Sequence, residues 1–268
     1  MRTLVLLSIA LASTTASAGV YVESSEIELG VKPPPAPEVS KIWFDGGRMR
    51  STDADGDGAI FRDQKIYALD ADQKSYTVVD KAAMDRMGGQ LAEARKKMEA
   101  QMASMPPERR AMMEQMMSQM GGGAGGAMKK PVKRDVTATG RSETVGGFKC
   151  SVWEVALDGV KDHEVCAAAP GSLPGGTEML KTMREMGEMM KGLTEGLGQM
   201  AQNTASDTWA DLAKINGIPI LTREFEDGKA TSETRLSVIR SESVAASTFE
   251  VPKGYKERKM PTMGSSED

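Results

Sequence analysis

The sequence predicts an α+β protein built on a mainly antiparallel, curved β-sheet that forms an open half-barrel, with methionine-rich helices covering its concave face. Short alternating segments separated by glycine-containing turns recur over most of the chain and indicate antiparallel strands. Two other segments repeat apolar residues every three or four positions, which is the helical period. Of the 21 methionines, 17 lie in these two stretches, 84–128 and 179–200.

The N-terminus has the pattern of a secretory signal. Arg2 precedes an apolar run at 4–12, and Ala16-Ser17-Ala18 supplies small residues for cleavage. The run is shorter than the roughly 20 residues that span a membrane, although a retained anchor helix is an alternative. We therefore predict a periplasmic or secreted protein that is soluble after cleavage near Ala18-Gly19.

The charge balance argues against two classes of partner. The formal net charge is −4, and loss of Arg2 with the signal makes it −4 − 1 = −5. Without a basic excess, we expect no nucleic-acid partner and no attraction to anionic lipid. No later segment is apolar enough to predict an integral membrane span. We expect a single half-barrel domain over 19–259, helical inserts near 80–120 and 177–213, and a disordered tail at 260–268.

The first strands are predicted as a meander. Four prolines within 31–37 exclude a helix there. Tight turns are expected at 45–47, 53–58 and 70–74. The segments with strand character are 20–29, 41–50, 59–62, 65–69 and 75–79.

The first helical insert begins near Asp80. One face carries apolar residues in steps of three and four, namely Met84, Met87, Leu91, Ala94 and Met98. Pro106-Pro107 should end this helix. A shorter methionine-rich helix is predicted over 112–120, and the glycines of 121–126 indicate a flexible connection.

Strand character returns at 132–139, 148–157 and 164–168, before the second helical insert. Thr177 is predicted to cap that helix. Its apolar residues step alternately by four and three, namely Met179, Met183, Met186, Met190, Leu193, Leu197 and Met200. Interior glycines should weaken the helix, which we expect to end before Asp207. A hairpin at 218–239 turns on Asp227-Gly228, and 249–255 is predicted to be a closing edge segment.

The two cysteines are predicted to form a structural disulfide. Cys150 and Cys166 flank a predicted hairpin that turns at Asp158-Gly159. In an exported protein such a bridge persists. A redox or metal pair would need a C-x-x-C spacing or further ligands, which the sequence lacks.

The methionines have three interpretations. They are a flexible helix core on the sheet, a mobile lid over a ligand, or a Cu(I) site formed by Met113, Met116, Met117 and Met120. For the lid, the predicted cavity-lining residues are Met84, Met87, Leu91, Met98, Met183, Met186, Met190 and Leu193.

Several segments resemble a bacterial envelope family known as domain of unknown function 4412. They are KIWFDGGRMR, KIYALDADQKSYTVV, GGFKC with Cys166, GIPILT and FEVPKGY, in that order. That family is similar to the periplasmic lipoprotein-carrier (Lol-like) superfamily, which implies an open half-barrel lidded by helices. The resemblance covers about residues 20–255 and implies no particular binding residues. The long methionine-rich insertions depart from the carriers.

The sequence offers little for catalysis. The run 53–58 begins like a calcium loop, but Gln64 stands where a bidentate Glu is needed, so we interpret it as an acidic turn. His163 is the single histidine, which argues against most zinc sites and catalytic triads, and we expect it to be solvated. No nucleotide-binding or nucleophile motif is present. We predict a non-enzyme without cofactor or metal.

The predicted function is non-covalent binding of a hydrophobic small molecule or lipidated protein in a cavity between sheet and helices. An acyl chain needs no polar motif, because apolar burial alone supplies the affinity. One alternative is an envelope interaction or stress-response factor that docks through its methionine-rich helices. The other is Cu(I) binding by the methionine clusters.

Overall fold

In a computed structural model of the chain, residues 19–106, 109, 133–197 and 211–259 are described. Twelve strands form one sheet. The strands are β1 Gly19–Glu28, β2 Glu38–Asp45, β3 Arg48–Thr52, β4 Gly58–Arg62, β5 Lys65–Asp70, β6 Ser75–Asp80, β7 Arg134–Val145, β8 Phe148–Leu157, β9 Val160–Ala168, β10 Ile218–Glu226, β11 Lys229–Glu242 and β12 Lys256–Glu257. The two long helices are α1 Lys81–Ser104 and α2 Gly176–Leu197, and residues 211–215 are also helical.

The sheet consists of two meanders joined by the first strand. Its order is β12-β6-β5-β4-β3-β2-β1-β11-β10-β9-β8-β7. Strand β1 pairs with β2 on one side and with β11 on the other, so the first strand and the eleventh meet at the centre of the sheet. The pairs are antiparallel except β12 with β6. The predicted antiparallel meander is confirmed.

The second half of the sheet curls strongly. Strands β8 and β9 separate β7 from β10, which places β7 and β10 roughly 14 Å apart in a flat sheet. Nevertheless Glu143 of β7 and Arg223 of β10 are in contact at 3.0 Å. Strand β7 bends at a register shift between Ala138 and Ser142, where Gly140 has a φ of 75°. The described strands therefore form a curved, open sheet, as predicted.

The helices follow the predicted order. Helix α1 continues directly from β6 and lies beside α2, while α2 contacts β2 and β10. Because β1 and β11 lie between these two strands, α2 crosses the centre of the sheet. In the described part of the chain, no helix is long and apolar enough to cross a membrane.

Two boundary predictions need comment. Thr177 lies inside α2, which already begins at Gly176, so the prediction that Thr177 precedes the helix as its cap is wrong by a residue or two. Helix α1 ends at Ser104, before Pro106, in agreement with the prediction. The predicted signal at 1–18, the helix over 112–120, the linker at 121–126 and the tail at 260–268 lie outside the described residues.

The prediction for 249–255 is wrong. Residues Ala246–Phe249 form a short 3-10 helix, and the edge strand is the following pair, Lys256–Glu257. Phe249 is fully buried and packs with Ile60 and Leu69 instead of extending the sheet. The segment therefore covers one face of β4 and β5, because burial of an aromatic ring outweighs the local strand pattern.

Candidate functional site

The candidate site is the apolar face of the sheet that packs against residues of α2, which we call the covered face. Strand residues from both meanders form one buried cluster with α2. Its sheet members are Val20, Val22, Phe44, Met49, Phe61, Cys150, Val152, Cys166, Ala168, Ile218, Ile220 and Leu221. A face of this composition attracts apolar groups without a specific polar contact.

The start of α2 is held tightly against the sheet. A Cβ atom added to Gly175 would lie 2.0 Å from Cγ2 of Val20, so only glycine permits this approach. Gly175 also has a φ of 61°, in the left-handed region that favours glycine. One turn into the helix, a carboxylate oxygen of Glu178 accepts a 2.7 Å hydrogen bond from the backbone N–H of Gly47. These contacts attach α2 to β1 and to the β2–β3 turn.

Burial along α2 follows its helical period. Met179 and Leu180, at the attached end, are buried, and so is Met189. The predicted lining residues Met183, Met186 and Met190 are half-buried and pack against the same cluster. Leu193 also belongs to α2, but its side chain lies outside the described part of the structure.

The other predicted lining residues belong to α1. Met84, Met87, Leu91 and Met98 fall within this helix, as predicted, but their side chains are outside the described part of the structure. The backbone of α1 lies beside α2. The structure therefore brings together Met183, Met186 and Met190, while the contribution of α1 to a cavity stays a prediction. The methionines proposed for Cu(I), 113–120, are likewise outside the described residues.

The predicted disulfide is present and belongs to the covered face. Cys150 and Cys166 are bonded, with their Cα atoms 5.3 Å apart. Cys150 pairs with Ala168 and Cys166 with Val152, so the two cysteines are diagonal neighbours on the hairpin β8–β9. Both side chains are buried within the cluster beneath α2.

A charged cluster crosses the curled half of the sheet. Arg223 donates two hydrogen bonds of 3.0 Å to the carboxylate of Glu143 and one of 2.9 Å to Glu233. Glu164, which is 5% exposed, accepts hydrogen bonds from Arg141 and Lys161. These residues join strands that are not neighbours in the sheet. Local sequence patterns missed this cluster, since its members come from four separate strands.

The environment changes how these groups titrate. Burial alone would raise the pKa of Glu164, but hydrogen bonds from Lys161 and Arg141 outweigh it and lower the pKa below its ordinary value. The pKa of Glu233 is lowered in the same way by Arg235 and Arg223. The hydrogen bond with Glu143 is the largest effect that raises the pKa of Arg223. Glu164 and Glu233 are therefore held ionised within the charged cluster.

Two motifs considered from the sequence have structural roles. In the acidic run, the carboxylate of Asp53 accepts the N–H of Asp55, and that of Asp57 accepts the N–H of Ala71. Both carboxylates therefore shape turns, which agrees with the interpretation as an acidic turn. The expectation that His163 is solvated is wrong: its side chain is 13% exposed, and Nδ1 lies 2.8 Å from Asp162. Among the described residues, no cluster of three or more potential ligands could hold a metal ion.

Comparison with known proteins leaves the family open. No family model matches the chain, and no curated protein matches it. An uncharacterized conserved protein from Thermus thermophilus is similar over 91% of both chains, at 5% identity and a TM-score of 0.44. A chain of the Pseudomonas aeruginosa MucA/MucB complex is similar over 88% of this chain and 56% of its own length, at 10% identity and a TM-score of 0.37.

The crystal structure of MucB itself is similar over 88% of this chain, at 11% identity and a TM-score of 0.33. This chain covers 57% of that one, a little over half its length. Likenesses at this level support no conclusion about function. Membership of the domain of unknown function 4412 family, and a place in the lipoprotein-carrier superfamily, therefore stay predictions from the sequence segments that resemble them.

Proposed function

We propose that this protein is an exported, periplasmic or secreted, non-enzymatic binding protein that holds a hydrophobic ligand between the covered face and its methionine-rich helices. The ligand is an acyl chain, a lipid or the lipidated end of a peptide. The observation that carries the proposal is the partial burial of Met183, Met186 and Met190 against a large apolar cluster. Thioether side chains at such a boundary repack around different apolar shapes at low cost.

The attachment of α2 at one end supports a lid. Gly175 and Glu178 hold the start of the helix to the sheet, and Met179 and Leu180 are buried beside that attachment. Further along, Met189 is buried in the same cluster, while Met183, Met186 and Met190 are only half-buried. A helix fixed at its start can tilt there and admit a ligand under its later turns, in the manner of a lid that closes over a site.

The energetics fit such a ligand. Burial of a 12-carbon chain contributes up to roughly 10 kcal/mol, at about 0.8 kcal/mol per methylene, before the costs of ordering ligand and lid. Micromolar binding needs about 8 kcal/mol, so incomplete burial is sufficient. No charged group has to contact the ligand, which accounts for the lack of a site motif in the sequence.

The proposal is tested with protein purified from the periplasm. Native mass spectrometry should show co-purifying lipid, and a fluorescent fatty acid should bind to the delipidated protein. Met186→Glu should weaken that binding at least about tenfold, because the apolar boundary would then carry a charge. Glu185→Gln, at the neighbouring exposed position of α2, is the matched control and should bind like the wild type.

A clean apo mass together with no fatty-acid binding would refute the proposal. A single abundant protein partner in cellular crosslinks, without lipid, would instead favour the alternative in which the methionine-rich helices dock on another envelope protein. That alternative is supported by the same half-buried methionines, because an external helix can pack on them as well as a ligand can.

A further inference from the structure

A pocket lies on the opposite face of the sheet from the ligand site proposed above. It has a volume of about 610 Å³ and is lined by residues of β4, β5, β6, α1 and the C-terminal segment. Side chains alternate between the faces of a strand. Phe61 and Ile66 accordingly point to the covered face, whereas Arg62, Lys65 and Tyr67 line this pocket.

Three cationic side chains line the pocket. Arg62 and Lys65 are directly paired across the β4–β5 hairpin, and Lys65 is paired with Asp80 of β6. Arg86 lines the pocket from the second turn of α1. Three different elements therefore deliver a guanidinium, an ammonium and a second guanidinium to one pocket.

These cations have unused capacity for hydrogen bonding. Arg62 forms a 2.6 Å ion pair with Glu250, and its guanidinium lies 5.0 Å from the centroid of the Tyr67 ring. Its Nε is buried without a hydrogen-bond partner among the described residues. Lys65 and Arg86 form no salt bridge with any residue in the described part of the chain.

Two carboxylates also lie at the end formed by Arg62 and Lys65. Glu250 forms the ion pair with Arg62, and Asp80 lines the pocket as the cross-strand partner of Lys65. Asp80 accepts a 2.7 Å hydrogen bond from the backbone N–H of Ala83, so it caps α1. Glu257 is paired with Tyr76 on β6, which is four residues along the strand from Asp80. At about 3.4 Å per residue, Glu257 is roughly 13 Å from the row that contains Lys65 and Asp80. The end of the pocket that contains Lys65 is thus separated from Glu257.

The floor between these ends carries two tyrosine rings. Tyr67 is paired with Val78, and the rings of Tyr67 and Tyr76 are 6.1 Å apart. Val251 of the C-terminal segment completes this part of the lining. A flat or apolar body can lie on such a floor while a charged group at its end reaches the cations.

We propose that this pocket binds a small, soluble amphiphilic anion, with its carboxylate or phosphate group at Arg62, Lys65 and Arg86 and its flat or apolar body on Tyr67 and Tyr76. Guanidinium and ammonium groups bind such anions through charge-assisted hydrogen bonds, and Lys65 and Arg86, which form no salt bridge among the described residues, supply the donors. The volume is within the range of small-molecule sites. The site is independent of the apolar ligand, because it uses the other face of the same strands.

The test is an NMR titration of the full-length exported protein with phenyl phosphate. Amide shifts should saturate and concentrate at Tyr67, Val78 and Arg86. Inorganic phosphate lacks the flat body and should bind about tenfold more weakly. A titration with benzoate tests whether the site prefers a carboxylate or a phosphate head group. Binding of either benzoate or phenyl phosphate supports the site.

Variants distinguish binding at this pocket from nonspecific electrostatic attraction of anions to the protein surface. The double variant Lys65→Gln/Arg86→Gln should weaken phenyl phosphate binding about tenfold or more. Lys41→Gln/Lys149→Gln removes two exposed cations from other strands and should leave binding unchanged. Because Arg86 is exposed on a helix, Arg86→Gln alone should fold normally and still weaken binding several-fold. Absence of shifts at the three amides, or equal losses in both double variants, would overturn the proposal.

Discussion

Arg223 and Glu143 are joined by two hydrogen bonds of 3.0 Å although two strands lie between them in the sheet. The pair therefore bridges the curl of the half-barrel from β10 to β7. Arg223 also bonds Glu233 of β11 and lies 3.9 Å from Glu164 of β9. One guanidinium thus connects strands whose separation depends on the curvature, and the charged cluster should stabilise that curvature.

Acid should weaken the charged cluster. The pKa of Glu164 in the folded protein is below its ordinary value of 4.5. A carboxyl group whose pKa is lowered by folding stabilises the folded state at pH values above its ordinary pKa. This contribution is lost as the pH falls through the folded-state pKa. The melting temperature should therefore decline below about pH 5. Glu164→Gln should cost roughly 1–3 kcal/mol at pH 7 and flatten the acid decline.

The measurement is thermal unfolding by circular dichroism between pH 7 and pH 3. Glu26→Gln, at an exposed position of β1, is the control and should follow the wild type. An acid decline of the same size in Glu164→Gln and in the wild type would show that Glu164 does not contribute through its charge.

Gly175 should be far less replaceable than another glycine with the same backbone conformation. Gly46 has a φ of 56° and open space around its Cα, whereas the φ of Gly175 is 61° and an added Cβ would meet Val20. Gly46→Ala should cost about 1–2 kcal/mol, the cost of the left-handed conformation. Gly175→Ala adds a clash and should cost about 1–3 kcal/mol more.

Urea unfolding of both glycine variants checks this difference. If α2 is a lid attached at Gly175, fatty-acid binding should also fall in Gly175→Ala, and it should be unchanged in Gly46→Ala. Equal stability of the two variants would contradict the close contact between Gly175 and β1.

Loss of the disulfide should lower stability without changing the fold. The bridge joins residues that are 16 apart in the sequence. Closing a loop of this size lowers the entropy of the unfolded chain and so stabilises the folded state by about 3 kcal/mol. Cys150→Ala/Cys166→Ala should lose about that amount in urea unfolding. Since both cysteines are 2% exposed, reductant should act on the wild type only under unfolding conditions. Rapid reduction of the native protein would contradict this burial.

Phe249 should anchor the C-terminal segment. Its side chain is fully buried against Ile60 and Leu69, and the guanidinium of Arg48 lies 4.5 Å from the ring centroid. Phe249→Ala should cost about 3–5 kcal/mol, while Phe249→Leu should cost clearly less because it leaves a smaller cavity. Chemical unfolding gives both values. A loss below about 1 kcal/mol in Phe249→Ala would show that the segment is not part of the core.

Local features of the fold were predictable because they depend on neighbouring residues. The β2–β3 turn was expected from Asp45-Gly46-Gly47, and both glycines have a positive φ. The disulfide followed from two cysteines on one hairpin in an exported chain. The period of three and four residues correctly predicted α1 and α2.

Contacts between distant parts of the chain were not predictable in this way. Nothing near Gly175 in the sequence indicates contact with Val20, and nothing near Arg62 indicates a pocket shared with Arg86. The segment 249–255 alternates like a strand, yet Phe249 is directed into a core. An alternating pattern shows that one side of a segment is apolar, but not which element will cover it.

By itself, the amino-acid sequence determined the antiparallel hairpins, the two helices and the disulfide, because turn chemistry and side-chain periodicity act within a few residues. The tertiary structure alone decided that β1 joins the two meanders, that Arg223 reaches Glu143 across the curl, and that Arg62, Lys65 and Arg86 line one pocket. These relationships depend on sheet order and curvature, and both arise from packing between residues that are far apart in the chain.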